Sequence, residues 1–138
     1  MGLDIVAGSY YESGDWGASI DFRYSYMSAI DRTPDSYSFG QQIPYLAKHT
    51  VTADLKAIWK GYVLNPVWIM KSGRTDGAGS LADWNTLDIS LSKRFILGKS
   101  LSLGVNLSAK NLLNCRYELV SGYPMPGRSF LGGIEVGF

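Results

Sequence analysis

Few side chains in this sequence have the type and spacing to do chemistry. His49 is the one histidine and Cys115 the one cysteine among 138 residues. A zinc site needs three or four His, Cys or carboxylate ligands at short spacing, and nothing at ligand spacing joins His49. No metal and no cofactor is expected. Cys115 is followed by Arg116, whose charge would favour the thiolate, but nothing beside it resembles a general base. Asp83 and Asp88 are carboxylates in one short stretch, yet no pattern sets them as an acid–base pair. The chain is therefore not expected to be an enzyme. Binding is the better prospect. Tyr117, Tyr123 and Arg128 lie in one polar segment and are of the type that contacts large ligands, with Trp84 as a further aromatic. Pro124, Pro126 and Gly127 in the same segment also give it a purely structural role, by fixing φ and permitting a tight turn.

The elements that position these residues are strands. Ala18, Ile20, Phe22, Tyr24 and Tyr26 alternate with Ser19, Asp21, Arg23 and Ser25, a two-residue period with no helical competitor. The same period recurs at 51–59, 86–95, 101–110 and 130–138, and more weakly at 3–10 and 62–70, the latter carrying Pro66. Proline cannot donate to a ladder, so 62–70 is expected at an edge or a bulge. The fold expected is an all-β antiparallel meander of about seven strands. Its connections alternate: short turns at 12–15, 60–61 and 98–99, and long polar segments at 31–48, 72–84 and 114–128. Short turns on one side and long loops on the other are characteristic of outer-membrane barrels.

Composition supports some classes and removes others. A net charge of +1 without a Lys/Arg run gives no footprint for nucleic acid. No apolar run approaches the roughly 18 residues of a membrane helix, and the start at Met1, Gly2 and Asp4 lacks the basic and apolar regions of a secretory leader. The nine Tyr, five Phe and four Trp gather near strand ends, where Trp16, Trp59 and Tyr62 flank short turns and Trp68 and Trp84 lie toward the long ones. Trp84 is expected in the aromatic girdle there. From Trp16 to Tyr26 a strand rises about 33 Å, or about 25 Å vertically at a 40° tilt, the height of the apolar band of a transmembrane barrel. The opposite faces carry Asp21, Arg23, Asp54, Lys56, Asp88, Arg94 and Lys110, too many charges for the packed interior of a small barrel. They are expected to face a wet lumen, with outer-membrane lipid against the apolar side. Seven strands cannot close such a barrel, so the chain is expected to be part of a larger one. A soluble lipocalin-like ligand-binding barrel, or a small structural or adhesive outer-membrane barrel, is the alternative.

The carboxy-terminal third carries a resemblance. Asn111-Leu112-Leu113-Asn114, Tyr117-Glu118, the run Gly122-Tyr123-Pro124-Met125-Pro126-Gly127-Arg128, and a last alternating strand ending in Phe138 resemble the end of TonB-dependent outer-membrane receptors. Trp84 to Asp88 and Ile43-Pro44-Tyr45 to His49 are similar too, with Ala47 standing where that family would have proline. The resemblance implies that residues 1–138 are the last seven strands of a barrel of about 22, without the plug domain and TonB box. It implies uptake of a scarce large nutrient, such as a ferric siderophore, haem or cobalamin, across the outer membrane of a Gram-negative cell. TonB would be met only through the absent amino-terminal parts. The carboxy terminus would be periplasmic, and Phe130, Ile134, Val136 and Phe138 would form the signal read by the barrel-assembly machinery.

Overall fold

The computed structural model describes residues 1–138 and contains eleven β-strands and no helix. In chain order these are β1 (Gly2–Ser13), β2 (Trp16–Met27), β3 (His49–Trp59), β4 (Tyr62–Ser72), β5 (Arg74–Thr75), β6 (Ser80–Leu81), β7 (Trp84–Ile96), β8 (Ser102–Lys110), β9 (Glu118–Val120), β10 (Tyr123–Pro124) and β11 (Ser129–Gly137). Seven of them form one open antiparallel sheet in the order β1-β2-β3-β4-β7-β8-β11. The four short strands are two hairpins, β5 with β6 and β9 with β10, folded within long connections.

Turn chemistry explains the tight end of the sheet. Gly14 has φ 56° between paired Ser13 and Trp16, and Lys60 and Gly61 have φ 46° and 75° between paired Trp59 and Tyr62. Two-residue hairpins need such left-handed residues to match the strand twist. The three long connections all leave from the other end. They are tied into one layer, since Tyr45 N donates to Thr75 O and Arg74 Nη1 donates to Glu118 O.

Pairing register divides the side chains between two faces. One row runs Trp16, Trp59, Tyr62, Lys93, Val105, Ile134, and another runs Ile20 with Leu55. These belong to the apolar face. The other face carries Asp4, Asp21, Arg23, Asp54, Lys56, Asn65, Asp88, Asn106, Lys110 and Glu135. Nothing covers the apolar face: Ile134 is 76% exposed and Leu107 55%. Only Arg74, Trp84, Thr86 and Asn111 are buried in the whole chain, so the sheet has no core of its own.

Of the two places expected for the strand that carries Pro66, the edge is not realised: β4 lies inside the sheet, between β3 and β7, and its pairing with β3 is interrupted at Asn65 and Pro66. Asn65 supplies what proline withholds: its Nδ2 donates to Leu55 O, opposite Pro66, and to Asp54 Oδ1 at 2.6 Å. Asn65→Ala is expected to cost about 1–2 kcal/mol, because it strips a carbonyl and a carboxylate of their donor together. Urea unfolding of the detergent-folded chain checks this, and a loss under about 0.5 kcal/mol would contradict it.

Candidate functional site

All four buried residues meet where the long connections fold over the polar face. β5 presents Arg74, the start of β7 presents Trp84 and Thr86, and the segment after β8 presents Asn111 and Tyr117. Trp84 and Tyr117 stack with ring centroids 4.3 Å apart, and the Arg74 guanidinium lies 5.8 Å from the Trp84 ring. Trp84 therefore does not belong to the girdle expected of it. It is two residues before Thr86 and four before Asp88, and alternation places it with them on the polar face, beneath the loops.

Asn111 organises the connection between β8 and β11. Its Oδ1 accepts from Cys115 N at 3.0 Å, while Nδ2 donates to Cys115 O at 2.9 Å and Pro126 O at 3.2 Å. Its own N–H goes to Asp88 Oδ1, and the second oxygen of Asp88 takes Lys110 Nζ at 2.9 Å. Asn114 acts similarly, accepting from Arg128 N at 3.0 Å beside Gly127, where a Cβ would lie 2.9 Å from Asn114 Oδ1. The asparagines and glycine of the loop motif are thus its internal fasteners.

Tyr117 is half-buried in this cluster. Burial, then the Asp88 charge, then Cys115 push its phenol pKa above the ordinary value. A raised tyrosine favours the folded state below the unfolded pKa near 10, and that contribution is lost as alkaline pH passes the folded value. In the first long loop Asp31 accepts from the Ser38 hydroxyl, Thr33 N and the Ser36 hydroxyl, which hold its carboxyl well below the usual range. Its contribution is present at neutral pH and persists until acid falls through that depressed value.

The three loop candidates do not converge. Tyr117 lines a cavity with Arg74 and Arg116. Tyr123 is 73% exposed on β10 and outside that cavity, and Arg128 is exposed at the foot of β11. On β11, Phe130, Ile134 and Val136 pair with Ala109, Val105 and Leu103 on the apolar face, and Phe138 follows the last pair, Gly137 with Ser102.

His49 stands on the apolar face at its long-loop end, where its Nδ1 shares a 2.8 Å hydrogen bond with the Tyr24 hydroxyl and its ring lies 5.2 Å from that of Tyr26. The Cys115 thiol points toward Arg116 O at 3.9 Å. Asp83 accepts from Gly73 N, so it and Asp88 are engaged separately. Sequence reasoning passed over Arg74, Asn65 and Lys93. Lys93 shares the phase of Ile89 and Leu91 along β7 and so lies on the apolar face. Its Nζ is 4.2 Å from the Tyr62 ring centroid and reaches back to Lys60 O.

No family model matches this sequence, and no curated protein matches it. The class that the structure itself defines is an open, two-faced antiparallel sheet with a loop layer at one end.

Proposed function

We propose that this chain is the carboxy-terminal barrel wall of a TonB-dependent outer-membrane receptor, taking part in uptake of a large scarce nutrient such as a ferric siderophore, haem or cobalamin. One observation carries the reading: the uncovered apolar face is bounded at both ends by aromatic groups. At the short-turn end Trp16 and Trp59 have centroids 5.5 Å apart, and Trp59 and Tyr62 6.1 Å, with Lys93 over Tyr62. At the other end stand Tyr24, Tyr26, His49 and Trp68. Amphipathic rings at two levels, with apolar side chains between, suit the two interfaces of a bilayer. Lysine beside such rings keeps its stem in the apolar band and its charge at the rim.

Strand parity supports a larger barrel. Seven strands, each antiparallel to the next, leave β1 and β11 running the same way. The two edges cannot close on each other antiparallel, nor with a second copy in the same orientation. An odd number of further strands is required, as in a barrel of about 22. In that setting the polar face lines the lumen, the loops lie outside the cell, and Phe130, Ile134, Val136 and Phe138 present the assembly signal on the last strand.

The test is solubility. Expressed alone, the chain is expected to aggregate in plain buffer and to disperse with a β-sheet circular dichroism spectrum in detergent micelles, because a large apolar face and two open edges are exposed. A monodisperse, cooperatively folding monomer in plain buffer would sink the proposal in favour of a soluble barrel.

A further inference from the structure

Arg74 is a buried cation without an anion. The residue is 4% exposed. Its two hydrogen bonds go to backbone carbonyls, Nη1 to Glu118 O at 2.7 Å and Nη2 to Ala82 O at 3.0 Å, and Nε is buried with no acceptor. Carbonyls carry partial charge only, and a full charge kept from water needs an opposite one. The nearby carboxylates are committed elsewhere: Asp83 to Gly73 N, Glu118 to Gly122 N, and Asp88 to Lys110 and Asn111 N. The two ion pairs of the chain, Arg94 with Glu135 and Lys110 with Asp88, leave Arg74 out.

A cavity of about 360 Å³ is lined in part by Arg74. Arg116 and Glu118 also line it: Arg116 makes no ion pair, and the Glu118 carboxylate, which accepts from Gly122 N, offsets one of the two arginines and leaves the lining net positive. Leu81, Pro124 and the Tyr117 ring supply apolar wall. Guanidinium groups are forks that fit carboxylate oxygens, and apolar walls fit a carbon skeleton. The cavity is on the polar side of the sheet, where Tyr117 stacks on Trp84, so the lipid-facing side of the proposed barrel is not its source of ligand.

We propose that this cavity binds an organic carboxylate through Arg74 and Arg116, and that such a group is part of the cargo. The assignment to cargo rests on the uptake reading; the carboxylate site does not. The probe is benzoate, with benzamide as its uncharged counterpart and inorganic phosphate as an anion lacking an apolar body. Each is dialysed to equilibrium against the full chain in neutral detergent micelles, with empty micelles as blank and sheet content read by circular dichroism. Benzoate is expected to bind saturably, at least tenfold more tightly than benzamide or phosphate. Arg116→Ala and Arg74→Gln are each expected to weaken it at least tenfold. Arg116 is at the surface, so Arg116→Ala keeps the test decisive even where Arg74→Gln disturbs the loops. The proposal is overturned by an absence of benzoate binding to sheet-containing chain, by equal binding of benzamide or phosphate, or by unchanged affinity in Arg116→Ala. Failure of the uptake reading shows instead as solubility without detergent, whatever benzoate does.

Discussion

Asn111→Ala is expected to destabilise the detergent-folded chain by about 3–4 kcal/mol, as the sum of a lost hydrogen-bond set and a strained backbone. The side chain, 5% exposed, fastens Cys115 by both its backbone groups and Pro126 by its carbonyl. Alanine leaves these three groups to find water in a loop that is closed over Trp84. Position 111 also has φ 48°, a left-handed conformation that asparagine adopts more readily than alanine. Two controls separate the causes. Asn111→Gly relieves the backbone and should recover about 1 kcal/mol of the loss. Asn111→Asp keeps the acceptor and the backbone preference but loses both donated bonds, and it sets a second carboxylate beside Asp88. Urea unfolding measures the losses, and trypsin cleavage after Arg116 and Arg128 reports the opened loop. A stability for Asn111→Ala within about 0.5 kcal/mol of the parent would show that the loop is not fastened as described.

That loop marks the boundary of what is legible in the sequence. The strands of the main sheet can be read because a period of two sustained over eight or more residues has no rival, as in β2 and β8. β5, β6, β9 and β10 are two or three residues long, too short for any period to register. Pro66 misleads only as to the edge. A missing N–H argues for an edge or a bulge, and nothing in the spacing announces that the side chain before it will act as the substitute donor. For Trp84 the information is present in the sequence. Its phase with Thr86 and Asp88 puts it on the polar face, and phase outranks the nearness to a strand end that argued for the girdle.

The candidate cavity is out of reach of the sequence for a topological reason. Arg74 meets Ala82 eight residues later and Glu118 forty-four residues later, contacts that exist only once two separate hairpins fold over one face. A lone arginine in a polar stretch reads as solvated. Tyr117 is visible as a loop aromatic, but whether it touches ligand or packs on tryptophan depends on the same long-range folding.

The orientation of the faces makes the second large prediction. Leu91 pairs with Leu64 and Leu107 in the middle of the apolar face, and its neighbour Ser90 pairs with Asn65 and Ser108 on the polar one. Arginine at mid-depth against lipid costs about 2–4 kcal/mol, whereas the lumen side of a barrel accepts charge. Leu91→Arg is therefore expected to lower the equilibrium yield of bilayer-inserted chain by roughly 30- to 1000-fold, and Ser90→Arg to leave it within about threefold. The measurement is folding into phosphatidylcholine vesicles, as part of a barrel completed by the further strands, followed by protease protection, with each variant in parallel. A soluble barrel that encloses the apolar face predicts no dependence of either variant on vesicles. An inside-out assignment of the sheet predicts the reverse order, with Ser90→Arg the damaging change. Adjacent residues on one strand share depth, propensity and flanking sequence, so a difference between them reports the face alone.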